Sequence, residues 1–83
     1  MAKRIEWTPI ARADVRRIDR QTALGLLEDL ADYVLTGHGD VDRLTDVSPP
    51  ELRLRIRNYR LLFYDHGDWI EILRVVHRLE AYR

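Results

Sequence analysis

Four arginines fall within eight positions of this sequence: Arg53, Arg55, Arg57 and Arg60. A fifth, Arg78, precedes Tyr82 near the C-terminus, and Glu51 and His77 lie close in sequence to members of the set. Guanidinium groups are planar, charged at any physiological pH and able to grip a phosphate through two parallel hydrogen bonds, so the set points to polyanion binding. Cleavage of RNA by its own 2′-hydroxyl needs a base at that hydroxyl, an acid at the leaving 5′-oxygen and positive charge around phosphorus. Positioning and electrostatics supply much of the catalysis in phosphoryl transfer, and arginines provide both. Arginine is a poor proton carrier, so a carboxylate, an imidazole or a phenol must assist; Glu51 and His77 are the candidate bases. Each has a structural alternative: Glu51 as an ion-pair partner of a neighbouring arginine, His77 as a half-buried strand-end histidine, Tyr82 as a packing residue. The weight rests on the cluster, not on any one member.

The elements that must hold these residues are legible from periodicity. Strict alternation from Leu52 to Arg57 has the period of a half-buried strand, with Leu52, Leu54 and Ile56 facing a core and Arg53, Arg55 and Arg57 on the other face. Asn58-Tyr59 reads as a tight turn or bulge, and 60–64 as the returning strand. Asp65-His66-Gly67-Asp68 is a second turn, followed by a β-forming run over 69–76. Upstream, 3–7 reads as a short strand, and Thr8-Pro9 opens a helix by capping and by a proline at the first helical position. Ile10, Ala11, Val15 and Ile18 form its apolar stripe, with Asp14 among the surface residues. Leu24, Leu27, Leu30, Ala31 and Val34 mark a second helix that stops at Gly37. Residues 36–50 read as a turn-rich connection pinned by Leu44 and Val47. The expectation is one α+β domain over residues 1–83: order β-α-α-β-β-β, with a two-helix hairpin packed on one face of a mostly antiparallel four-stranded sheet.

Composition narrows the function classes. The formal net charge is zero, but residues 1–50 hold seven basic and nine acidic side chains, whereas 51–83 hold seven and five. Basic charge is thus concentrated on the expected sheet, and Lys3 is the only lysine. There is no cysteine, which excludes disulfide staples and thiolate metal sites. His38, His66 and His77 do not fall at metal-ligand spacing. The absence of an apolar run of bilayer length and of a secretory signal pattern makes the cytoplasm the default location.

The stretch from Leu52 to Tyr64 resembles the "R-L-R-x-G-x-Y-R-x-x-Y" hairpin of the RelE/ParE toxin superfamily, with Asn58 where glycine is usual. Val76-His77-Arg78 followed by Ala81-Tyr82-Arg83 resembles that superfamily's closing "V-x-H-R-x-x-x-Y" signature, and Asp42-Arg43-Leu44 and 7–18 resemble earlier segments in the same order. The resemblance implies a microbial RNase-like fold, the toxin half of a type II toxin–antitoxin pair, an antitoxin protein (RelB-like or other) as partner, and no cofactor or metal. In the RelE branch it further implies a metal-independent endoribonuclease that enters the ribosomal A site, cuts mRNA by 2′-hydroxyl attack and so inhibits translation. By position, Arg53 falls on a proton acceptor or phosphate ligand, Arg60 on the arginine that stabilises the transition state, Arg78 on the leaving-group residue and Tyr82 on the tyrosine that orients the nucleotide. Arg55 falls on a neighbouring backbone-binding basic residue, and Arg57, next in the alternation, is the other candidate RNA contact. Two alternatives stay open: a ParE-like toxin that binds and inhibits DNA gyrase without phosphate chemistry, and a non-catalytic homologue that only binds an antitoxin.

Overall fold

The computed structural model describes residues 3–44 and 48–80. Its elements are β1 (Arg4–Trp7), α1 (Pro9–Arg16), α2 (Arg20–Thr36), β2 (Asp40–Leu44), β3 (Glu51–Ile56), β4 (Tyr59–Asp65) and β5 (Trp69–His77). The strands form one sheet in the order β1-β5-β4-β3-β2. β1 runs parallel to β5, and every other neighbouring pair is antiparallel. Both helices cover one face of this sheet, so the class is the expected α+β.

The fifth strand is the departure. Residues 40–44, expected within a turn-rich connection, pair along the whole of β3. Their sequence alternates Asp40-Val41-Asp42, which lets Val41 turn toward the core while Asp40 and Asp42 share the face of Arg55 and Arg53. Asp40 and Asp42 resemble turn formers by type, and the alternation is what places them in a strand. Leu44 closes the ladder opposite Glu51, and Val47 lies outside the described residues.

Alternation also builds the core. Leu52, Leu54 and Ile56 from β3, Leu61 and Phe63 from β4, and Ile70, Ile72 and Val75 from β5 are buried beneath Ala11, Leu26 and Leu30 of the helices. The change of phase between Ile72 and Val75 is a bulge: Leu62 pairs with Arg74 but Phe63 with Ile72, leaving Leu73 as the extra residue. α2 is rotated from its expected phase. Leu26 and Leu30 are its buried positions, whereas Leu24 is 51% and Leu27 39% exposed, and Ala31 faces solvent. The inward stripe runs through Leu26, Leu30, Tyr33 and Val34, so Leu30 and Val34 face inward as expected while Leu26 and Tyr33 take the places expected of Leu24 and Leu27. Asp19 caps the helix by accepting from the Thr22 N–H, and Gly37 ends it with φ +76°.

α1 shows the same effect more sharply. Ile10 is 60% exposed, and the buried positions are Ala11 and Asp14. Asp14 was assigned to the surface by its type, yet it sits one turn from Ala11 on the inward stripe. Its position follows from β1 being too short to pair with all of β5. β1 pairs with residues 69–72 only. Beyond that point, Thr8 donates from its backbone to Ile72 O at 3.1 Å and from Oγ1 to Ile72 O at 2.9 Å. The Asp14 carboxylate then accepts from the Val75 N–H at 2.9 Å and from Arg74 Nε at 2.8 Å and Nη2 at 3.2 Å. A helix side chain therefore continues the sheet edge.

Burial pushes the Asp14 carboxyl up, but the hydrogen bonds from Arg74 and Val75 and the charges of Arg74 and Arg17 outweigh it and hold it below the usual 3.8. Asp65 is likewise buried against its charge yet lowered, by Lys3, the Gly67 N–H and Arg43; Lys3 Nζ lies 2.8 Å from it. For both groups the folded value is below the unfolded one, so their stabilisation is present above the unfolded pKa and is lost as pH falls through the folded pKa. Asp14→Ala leaves the Val75 N–H without its partner and is expected to cost about 2–3 kcal/mol in urea unfolding. The variant should also lose less stability than the parent between pH 5 and pH 2; an unchanged acid limb would contradict the role given to Asp14.

Candidate nucleic-acid interface

The face of the sheet opposite the helices is set by the residues that alternate with the buried ones. On β3 these are Glu51, Arg53 and Arg55, and on β4 Arg60, Leu62 and Tyr64. The antiparallel register puts Arg53 opposite Leu62, and Arg55 directly opposite Arg60. Arg60 is half-buried, and its Nη1 donates to the Tyr59 carbonyl at 3.2 Å. Two like charges facing each other across a ladder repel, and the acidic edge strand offsets this. Arg55 Nη2 lies 3.0 Å from Asp42 Oδ2, and Arg55 Nη1 lies 3.9 Å from Asp40 Oδ2. The result is a basic strip of Arg53, Arg55 and Arg60, bordered along β2 by two carboxylates.

Arg78 joins the same end of the sheet. Its backbone N–H donates to the Asn58 carbonyl at 2.7 Å, which stitches the end of β5 to the β3–β4 turn next to Arg60. Arg53 and Arg60 thus share the open face of β3 and β4, and the Arg78 backbone is tied to the turn that joins those strands.

Arg57 is separated from them. The turn is Arg57-Asn58, not Asn58-Tyr59, because Tyr59 already pairs with Ile56 in the ladder. Arg57 itself takes the left-handed conformation, at φ +56°. That reversal carries its side chain off the arginine face and over α2, where Nε lies 3.4 Å from Asp29 Oδ2. Gly25 makes room for it: a Cβ there would come within 2.8 Å of the Arg57 guanidinium. An arginine that continues the alternation in sequence is a strap across the helix in the fold.

The candidate proton carriers are also dispersed. His77 lies on the helix side of the sheet, its ring edge-to-face with Tyr59 at 5.3 Å. It borders a cleft of about 150 Å³ that Asp14, Arg17 and Arg74 also line. Its Nδ1 accepts from the Leu79 N–H at 3.3 Å, so in the neutral ring the proton is on Nε2 and the free nitrogen is a donor. Glu51 shares the arginine face but stands four residues from Arg55 along β3, about 13 Å at the strand rise. It pairs in register with Tyr64, which pairs in turn with Glu71. Glu71 Oε1 is 3.0 Å from His66 Nε2, and His66 stacks on Trp69 at 4.1 Å. That end of the face is acidic and aromatic, the other end basic. Tyr82 lies outside the described residues. The motif reading missed two members of this region, Asp40 and Asp42, although their alternation with Val41 was a visible signal.

Over residues 5–82 the sequence matches the family described as the ParE toxin of the type II toxin–antitoxin system parDE. Among curated proteins there is no significant match. Several solved structures share the fold. The chain is similar to one in the archaeal RelE–RelB complex of Pyrococcus horikoshii OT3, with TM-score 0.75, 18% identity, and coverage of 94% of this chain and 97% of that one. It is similar to one in the toxin–antitoxin complex RelBE2 of Mycobacterium tuberculosis, with TM-score 0.69, 25% identity, and coverage of 94% and 100%. It also resembles the YoeB dimer of Staphylococcus aureus, with TM-score 0.67, 18% identity, and coverage of 89% and 94%.

Replacing Arg57 by glycine relieves a left-handed residue and removes one solvent-exposed ion pair. Arg57→Gly is therefore expected to leave stability unchanged or raise it by up to about 1 kcal/mol in thermal unfolding. A loss of more than that would show that the strap across Gly25 carries the hairpin.

Proposed function

This chain belongs to the ParE toxin family of type II toxin–antitoxin systems, and within that family we propose that it is a metal-independent endoribonuclease that cuts mRNA in the ribosomal A site. The observation that carries the reading is the convergence of Arg53, Arg55 and Arg60 on the uncovered sheet face, with the Arg78 backbone tied to the adjoining turn. In the reaction the 2′-hydroxyl gives its proton to solvent as its oxygen attacks phosphorus, and the bond to the 5′-oxygen breaks as that oxygen takes a proton from solvent, leaving a 2′,3′-cyclic phosphate and a 5′-hydroxyl. Arg60 and Arg78 are assigned to the charge that builds on the phosphoryl oxygens and the leaving group, and Arg53 and Arg55 to the flanking backbone. Tyr82 is assigned to orienting the nucleotide. Glu51 and His77 take no part in this assignment, the first for its distance and the second for its face and its hydrogen-bonded Nδ1. Electrostatic stabilisation is then the main contribution of the chain itself.

The protein partner is a cognate antitoxin. The structures from Pyrococcus horikoshii and Mycobacterium tuberculosis hold their toxins in complex with RelB-type antitoxins. An acidic antitoxin segment fits the basic strip by charge.

A second reading has its own support. The matching family is described by the ParE toxin, which fits a toxin that acts by binding DNA gyrase. End-labelled mRNA on programmed ribosomes separates the two. The endoribonuclease reading predicts A-site cuts that EDTA does not affect and that fall by about 100-fold or more in Arg60→Ala with Arg78→Ala. A folded parent protein that leaves mRNA intact but blocks gyrase supercoiling would replace it with the second reading.

A further inference from the structure

The basic strip is built beside its own competitor. Asp40 and Asp42 sit on the edge strand in register with Arg55 and Arg53, on the same face as the arginines. Arg55 is engaged by both carboxylates, at 3.0 Å from Asp42 and 3.9 Å from Asp40. Nothing in the packing of the core calls for acids at these two positions: the Asp40 and Asp42 side chains are 65% and 58% exposed. Their inward-facing neighbour Val41 does the packing. A phosphate that binds Arg55 must displace a carboxylate already there, and must approach through the repulsion of the second.

We propose that Asp40 and Asp42 set the specificity of the arginine face by competing with nucleic-acid phosphate for Arg55 and Arg53. The pair lowers affinity for free single-stranded RNA, so that productive binding requires the RNA to be presented in a fixed geometry. The inference rests on the arginine face being a phosphate site, but not on RNA being cleaved there. It is a matter of position and not of net charge, because the two acids line one edge of one strip. Removing them frees at least one guanidinium for phosphate, and each additional phosphate neutralised adds about 0.7 to the salt slope of single-strand binding.

The test is a fluorescence-anisotropy titration of a labelled single-stranded RNA oligonucleotide over a salt series. It compares the parent protein, Asp40→Asn with Asp42→Asn, and a charge-matched control, Glu28→Gln with Asp68→Asn, at exposed positions of α2 and of the β4–β5 turn. The β2 variant is expected to bind about tenfold tighter at low salt with a slope steeper by about 0.7–1.4, and the control to change by less than twofold. Adding Arg53→Ala and Arg55→Ala to the β2 variant should abolish the gain. Asp42→Asn alone, which keeps Asp40 on the edge, should show a smaller gain of the same sign and provides a second reading if the double variant unfolds. Equal gains in the β2 variant and the charge-matched control, a gain that survives loss of Arg53 and Arg55, or no RNA binding by any variant would overturn the proposal. Tighter RNA binding without ribosomal cleavage would leave it standing and remove the nuclease reading instead.

Discussion

The hydrogen bond from the Val75 N–H to the Asp14 carboxylate, closed by Arg74, is the constraint on which the arrangement of this molecule turns. β1 is four residues long and runs out after Ile72, whereas β5 continues to His77. The uncovered stretch lies beneath α1, where an unpaired amide would cost about 1–3 kcal/mol. Thr8 and Asp14 complete the edge instead of a strand. Thr8 is also the N-cap of α1, so one residue starts the helix and ties its first turn to β5. Asp14, two turns in, fixes the helix to the sheet a second time. With α1 pinned at both points, the bulge at Leu73 and the direction of the last residues of β5 are determined, and Arg78 arrives beside the β3–β4 turn.

From there the sheet divides its open face by charge. At one end Arg55, Arg60 and the Arg78 backbone come together. At the other, Glu51, Tyr64 and Glu71 lie in one row, with His66 stacked on Trp69 and the Arg4 guanidinium 5.6 Å from the Trp69 ring. The carboxylates of β2 moderate the basic end without removing it. A chain of zero formal net charge thereby keeps a locally basic strip, and the distribution of charge says more than its sum.

The hairpin and its arginines were readable because strand alternation is strict: once Leu52, Leu54 and Ile56 face the core, Arg53 and Arg55 have nowhere else to point. Arg57 breaks the rule because the turn comes one residue earlier than its composition suggests, and its own left-handed backbone sends its side chain over α2. Asp14 was hidden for a different reason. An apolar stripe counts only apolar residues, and a buried aspartate that completes a sheet edge is visible only when the edge is known. On α2 the expectation holds for Leu30 and Val34, but Leu26 and Tyr33 complete the inward stripe in place of Leu24 and Leu27. β2 lay between the cases: Asp40-Val41-Asp42 alternates, but aspartate is a poor strand former, and only pairing with an already fixed β3 makes it a strand. Local pattern was sufficient where burial alone decides, and insufficient where a tertiary partner supplies the missing hydrogen bond or charge.

The central claim is that the uncovered face of the sheet, at its arginine end, is where this toxin meets nucleic-acid phosphate. Amide chemical-shift mapping of the isotopically labelled protein against a short 2′-O-methylated RNA, which cannot be cut, tests it most directly. The account predicts shifts concentrated at Arg53, Arg55, Arg60 and Arg78, with α1 and the outer side of α2 silent. Shifts confined to the helices, or none at RNA concentrations that saturate binding, would contradict it.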